Sequence, residues 1–387
     1  MISPRPSASP QTRHGVALPA AVAALTLVAL FLAGSAFVAL QEARAASNAL
    51  GERRSLEAAE YGAASLLRDW DRRWNLSVPP GDTLGPWVHA LAGGASAAVR
   101  AVRATPTTVW VVSEGTAGIP AVDRAARRVV GALLRLDPDG APVLAALTVR
   151  DSASVTGTGS VSGADSIPAG APDPFCGTMP SPVAGLAAPD TLRVCDGTCG
   201  GAAGLVSGAP RLFADAAAAD PLGYVAVPSG AWSALAARAD IVLPPNAVVT
   251  PGPVASGGVC QRAAPGNWGD PSALTPCADW LPVIHALGDV TVIGGAGQGI
   301  LIAAGDVRLE GATRFAGLIV AADDVDVTGD ALVLGAVRAG DARAAAGDHT
   351  HVTNGGQVRY SACAVTRARL GSALLRRVRQ RWWTELF

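Results

Sequence analysis

The sequence predicts an α+β protein that is mainly β, with a long N-terminal transmembrane helix and a β-rich head that contains a short β-solenoid. Three observations predict it. Val16 to Leu40 runs for 25 residues without a charge. Apolar residues then recur at three- and four-residue steps up to the stop at Pro79-Pro80-Gly81, the period of a helix with one buried face. From Gly288 to Ala345 a unit of 17 or 18 residues repeats, the mark of stacked coils.

The first 15 residues are polar and carry Arg5, Arg13 and His14. The uncharged run that follows is long enough, at about 1.5 Å per residue, to cross a bilayer of about 30 Å. A cleaved signal peptide would have an apolar core of only about 7–15 residues. Arginines on the short flank place the N-terminus in the cytoplasm and export the rest. Beyond the apolar run, Leu56, Ala59, Ala63, Leu66 and Trp70 form one stripe, and they are the residues expected to pack helix against head.

Composition narrows the function. The net charge is −1, so no nucleic-acid surface is expected. All 30 basic residues are arginine, which excludes a P-loop lysine, a Schiff-base lysine and a Ser-Lys dyad. Cys176, Cys195, Cys199, Cys260, Cys277 and Cys363 all follow the apolar run. An even count in Gly/Pro-rich loops reads as disulfides in an oxidising compartment. Zinc is the weaker reading, because Cys195-Asp-Gly-Thr-Cys199 has no second pair at metal spacing.

The repeat carries most of the head. Asp289, Asp306, Asp324 and Asp341 open successive units at intervals of 17, 18 and 17, while Gly299, Gly317 and Gly335 recur at 18 and 18. A unit of two short strands cannot bury its apolar side alone, so neighbouring units must stack. Leu147, Val149, Val155 and Val161 suggest an earlier first coil, with residues 164 to 285 inserted after it.

Chemistry is sparse. Gly159-Ser160-Val161-Ser162-Gly163 has Val where a nucleophile elbow needs Ser. The four repeat aspartates line up like the carboxylates of a polysaccharide-cleaving solenoid. Asp beside a turn, bonding its own backbone, is the preferred reading. His349-Thr350-His351, beside Asp348, is the best metal candidate, and a polar turn before Asn354-Gly355-Gly356 is preferred to it. No catalytic residue, no metal and no cofactor are expected.

Several stretches resemble known families. Arg13-His14-Gly15 followed by Val16-Ala17-Leu18-Pro19 resembles the prepilin junction, which implies processing between Gly15 and Val16. Gln41 to Asn48 and Arg53-Arg54-Ser55-Leu56-Glu57-Ala58-Ala59-Glu60-Tyr61-Gly62 resemble minor pilins of the PilX type. Ala20 stands where major pilins carry Glu, a departure that fits a minor, capping role. Asn267-Trp268-Gly269-Asp270-Pro271, between Cys260 and Cys277, resembles pilus-assembly-like heads, and the coils resemble bactofilins; a disulfide between Cys260 and Cys277 is expected to close the loop that contains Trp268.

These resemblances imply a minor pilin or pseudopilin-like component of a type IV pilus or type II secretion-like assembly, structural and without catalysis. Its partners would be the inner membrane, other pilins or pseudopilins and a prepilin peptidase. It would cross the inner membrane once, with the head in the periplasm or on the surface in a filament. The rival expectations are a membrane-tethered bactofilin-like scaffold and an anchored polysaccharide-active enzyme.

The expected organisation is a basic leader (1–15), a transmembrane and extended helix (16–78) and a small α+β region (79–150). A loop-rich cysteine-bearing region (151–285), a β-solenoid (286–362) and a basic amphipathic C-terminal helix (363–387) complete it. That last helix is expected to cap the open end of the solenoid in preference to lying on a membrane.

Overall fold

A helix of 52 residues, α1 (Ala17–Arg68), begins the computed structural model; by helical rise it is about 78 Å long. The structure describes residues 17–119, 124–138, 143–167, 173–176, 181–197, 204–215, 231–340, 349–378 and 383–386. Residues 17–50 of α1 are exposed almost throughout. Burial begins at Gly51 and recurs at Ser55, Ala58, Ala59, Gly62, Ala63, Ser65 and Leu66, one face of a helix at three- and four-residue steps. The helix ends ten residues earlier than expected. Trp70 lies beyond it and donates its indole N–H to Asn75 Oδ1 (2.8 Å). Asn75, in the short helix α2 (Trp74–Ser77), is in turn anchored to the carbonyls of Leu370 and Ala373 (2.8 and 2.9 Å). Docking on the C-terminal segment thus overrides the helical period.

The buried half of α1 lies on an antiparallel meander of β1 (Thr83–Ala90), β2 (Ala95–Thr105), β3 (Thr108–Ile119) and β4 (Arg124–Asp137). Side chains alternate across the sheet. Ala97, Val99 and Ala101 of β2, Val109 and Val111 of β3, and Ala132, Leu134 and Leu136 of β4 are therefore buried. The approach of helix to sheet is close. A Cβ on Gly115 would overlap the Ser55 carbonyl, and one on Gly62 would overlap the Ser113 hydroxyl and a Val99 methyl.

The second lobe is a parallel β-solenoid whose chain order is not its stacking order. It begins with β5 (Ala145–Val149), β6 (Ala153–Val155) and β7 (Ser160–Ser162). Next to these lie β8 (Ala184–Ala188), β9 (Val194–Asp196), β10 (Val206–Ser207) and β11 (Leu212–Ala214). After α3 (Ala231–Ala236) the chain restarts at the opposite end with β12 (Ile241–Leu243) and β13 (Ala247–Val249), followed by the hairpin β14 (Ala255–Ser256) and β15 (Val259–Cys260).

From there it winds back through β16 (Val283–Ala286), β17 (Val290–Ile293), β18 (Ala296–Ala303) and β19 (Val307–Glu310). Next come β20 (Arg314–Ala321), β21 (Val325–Val327), β22 (Leu332–Ala339), β23 (Thr350–Val352) and β24 (Gln357–Tyr360). The returning coils meet the first one: β22 pairs with β5, β23 with β6 and β24 with β7. One sheet accordingly runs β13-β17-β19-β21-β23-β6-β9.

The expected boundaries therefore move. The coil at Leu147 to Val161 is an interior coil and not a terminal one. Residues 151–285 supply strands to the stack, and the solenoid is not confined to 286–362. Strands of two to five residues joined by long loops leave too little period to be read as coils. The repeat corners behave as expected. Gly299, Gly317 and Gly335 stack in register at φ of 108, 140 and 144°. A Cβ on Gly317 would overlap the Gly299 carbonyl, so the coil corner requires both the conformation and the space of glycine.

The C-terminus departs from expectation. Helix α4 covers only Ala362–Ser372; β25 (Leu374–Arg377) and β26 (Trp383–Leu386) then pair antiparallel with β4. The open edge of β4 supplies backbone partners, and strand pairing there overrides the helical period of Leu370, Leu374 and Val378. Helix α4 packs against β18, β20 and β22, along the side of the solenoid and not over its end.

Candidate assembly interface

The exposed half of α1 is the largest uncovered apolar element among the described residues. Leu18, Leu25, Leu30, Phe31, Leu32 and Phe37 are all more than 60 % exposed. An 18-residue window of the helix reaches a mean hydropathy of 2.3 with none of it buried. It is long and apolar enough to cross a membrane. Thr26 sends its hydroxyl back to the carbonyls of Val22 and Ala23 (3.0 and 2.9 Å), and Ser35 to that of Leu32 (3.0 Å). The polar side chains in the apolar run thus satisfy themselves within the helix.

Gly15 and Val16 lie outside the described residues. Of the expected packing stripe, Ala59, Ala63 and Leu66 are buried against the sheet. Leu56 is half-buried. Trp70 is half-buried as well and stacks edge-on against Trp74, which lies at 5.2 Å from Trp87 in turn. Reading apolar size missed the small residues that fill the contact: Ser55, Ala58, Gly62 and Ser65. The signal was present, since Ser55, Ala58, Ala59, Gly62 and Ala63 repeat at the same helical steps.

Two of the six cysteines pair as Cys260–Cys277, 17 residues apart, and two as Cys176–Cys363, 187 apart. Cys195 is disulfide-bonded too, and Cys199 lies outside the described residues. The Cys260–Cys277 loop is a plug on the coils. Inside it Trp268 is fully buried, edge-on to Phe315. Asn267 donates to the carbonyls of Val254 and Gln261 (3.1 and 2.9 Å). Asp270 accepts from the backbone N–H groups of Ser272, Leu274 and Thr275 (2.9, 3.0 and 2.7 Å). Burial opposes its charge, but the hydrogen bonds from Ser272 and Thr275 prevail and hold this carboxyl below its ordinary value.

Three of the repeat aspartates also bond between coils. Asp306 N–H donates to Asp289 Oδ1 (3.0 Å), Asp324 N–H to Asp306 Oδ1 (3.3 Å), and the Thr350 hydroxyl to Asp324 Oδ1 (3.2 Å). Each of these three carboxylates thus ties one coil to the next. Asp341 and Asp348 lie outside the described residues. His349 Nδ1 sits 2.6 Å from the Ser152 hydroxyl, and the rings of His349 and His351 are 6.3 Å apart. The described residues around them add no third ligand.

At the junction of the two lobes Arg103 is buried, with its guanidinium donating to the carbonyls of Asn75 and Thr105 (both 3.0 Å) and of Pro106. It also lies over the Phe175 ring at 5.4 Å. Burial pushes its pKa down to about 10. An ion pair between Arg72 and Asp240 crosses the same junction. None of these residues stood out in the sequence.

No family model matches the chain, and no curated protein matches it. Among solved structures it is similar to the crystal structure of the competence-associated pilin ComZ from Thermus thermophilus, at 12% identity and a TM-score of 0.24. That match covers 87% of this chain and 96% of the other. At such a score the likeness carries no weight for fold or function.

Proposed function

We propose that this chain is a membrane-anchored structural subunit of a pilin-like assembly, acting as a minor pilin or pseudopilin without catalysis. One observation carries the reading: a single continuous helix is divided into an exposed apolar half and a half sealed onto an antiparallel sheet by small residues. The outer half suits storage in a bilayer and later packing against other apolar helices; the inner half fixes the head rigidly to it. The PilX-like stretch from Arg53 to Gly62 supports the minor-pilin assignment, because it coincides with the docked segment. Asp289 and Asp306 each accept a backbone N–H of the next coil, a structural use that favours a role without catalysis.

Processing after Gly15 belongs to the same proposal. Mass spectrometry of the N-terminus from cells that express a prepilin peptidase tests it. The proposal expects a mature chain beginning at Val16, and a Gly15→Leu chain that inserts in the membrane uncut. An intact leader in peptidase-positive cells overturns the processing.

A further inference from the structure

A short strap, residues 173–176, crosses the junction of the two lobes. Its Phe175 is buried in the solenoid core and lies against the Arg103 guanidinium of β2. Arg103 is 2 % exposed. The acceptors it reaches are carbonyls, and its Nη1 is buried without a hydrogen-bond partner. A charge buried in this way is better hydrated, so the strap covers a group that water would take. Two bonds hold the strap closed. Cys176 is joined to Cys363 in the first turn of α4, and Asp173 is ion-paired with Arg367 one turn further on. Asp173 also accepts the Phe175 N–H (2.8 Å), which couples the ring to the ion pair.

Cys176–Cys363 and Cys260–Cys277 differ in access. Cys277 is fully buried, and the Asn267 amide lies 3.3 and 3.4 Å from the two sulfurs of its pair. Cys176 and Cys363 are both half-buried. A thiolate leaving from Cys363 would sit in the first turn of α4, where backbone N–H groups favour negative charge. A better leaving thiolate is displaced faster. With 187 residues between Cys176 and Cys363, their bond is also what keeps strap and helix together as neighbours.

We propose that Cys176–Cys363 is a redox latch on the lobe junction, opened by a dithiol reductant. One thiolate of the reductant attacks the Cys176 sulfur and expels the Cys363 thiolate. Its second thiol then displaces Cys176, so the reductant leaves as a disulfide and its two protons pass to the cysteines. The freed strap withdraws Phe175, Arg103 hydrates and the junction loosens; oxidation closes it again. The latch goes beyond the assembly role and does not depend on it.

The test uses the full chain in detergent, carrying 4-fluorophenylalanine at position 175 and titrated with dithiothreitol. Mass spectrometry of alkylated peptides should find Cys176 and Cys363 reduced at about tenfold lower dithiothreitol than Cys260 and Cys277. At that point the fluorine-19 signal should narrow and move to its solvent-exposed position, and reoxidation should reverse the change. A chain with both Cys176→Ser and Cys363→Ser should give the exposed signal without reductant. Reduction of Cys260–Cys277 first, or at the same dithiothreitol concentration, would overturn the proposal. So would a fluorine signal that stays unchanged once Cys176 and Cys363 are reduced.

Discussion

The two lobes bury their sheets by different means: the helix–sheet lobe has strands of 8 to 14 residues under one helix, the solenoid mostly short strands stacked on one another. In the helix–sheet lobe the backbone itself is brought close, with Gly115 facing the Ser55 carbonyl and Gly62 facing Ser113, and Leu66, Val99, Val111 and Leu134 pack around these approaches. The helix–sheet contact therefore depends on shape at a handful of positions. In the solenoid, large side chains such as Leu147, Leu186, Ile284, Ile300, Leu301 and Ile319 form one continuous core, and each coil repeats the solution of its neighbour. The first lobe is intolerant of added volume, and the second of removed volume.

Substitutions can break or sharpen that contrast. The largest effect is expected from Gly115→Val, which forces α1 off the sheet and costs more than about 3 kcal/mol; circular dichroism melts of the full chain should show the helix–sheet transition lost or lowered. Ile319→Ala removes volume from the solenoid and should cost about 3 kcal/mol, read as a lowered second transition with the first unmoved. If Ile319→Ala lowers both transitions equally, the lobes are one cooperative unit and the contrast fails. Asn75→Ala loses two amide bonds across the junction and should cost about 2 kcal/mol, separating the two transitions further. Leu56→Ala, at a half-buried site, should cost only about 0.5 kcal/mol.

A pH titration addresses the plug. The Asp270 carboxyl is held below its ordinary value, so its contribution to stability is present above the unfolded pKa of about 3.9 and is lost as pH falls through the folded value. Trp268 fluorescence should therefore red-shift at acid pH at lower denaturant than at neutral pH, and Asp270→Asn should flatten that dependence.

How far the sequence could be read follows from the same contrast. The long helix, its exposed half and the coils at Gly299, Gly317 and Gly335 were legible, because each depends on a local period. The Cys260–Cys277 pair, expected to close the loop that contains Trp268, is present in the structure. Three features were hidden. The docked face of α1 is built of small residues, which carry little hydropathy signal, so Leu56 and Trp70 drew attention that Ser55 and Gly62 merited. The coils at β8 to β13 are two to five residues long and return to the stack from distant sequence. The arginine-rich C-terminus has a helical period, yet the free edge of β4 takes it as strands. Tertiary partners that no local window contains decided the last two, while the first lay in a local repeat of small residues.

Under the proposed function the exposed half of α1 packs against other apolar helices in an assembly and does not serve anchorage alone. A photo-crosslinking amino acid at Phe31, which is 76 % exposed, tests it in cells whose surface appendages are sheared off and collected. Adducts with a second long-helix subunit are expected in the sheared fraction. Adducts with lipid alone, and no trace of the chain in that fraction, would contradict it.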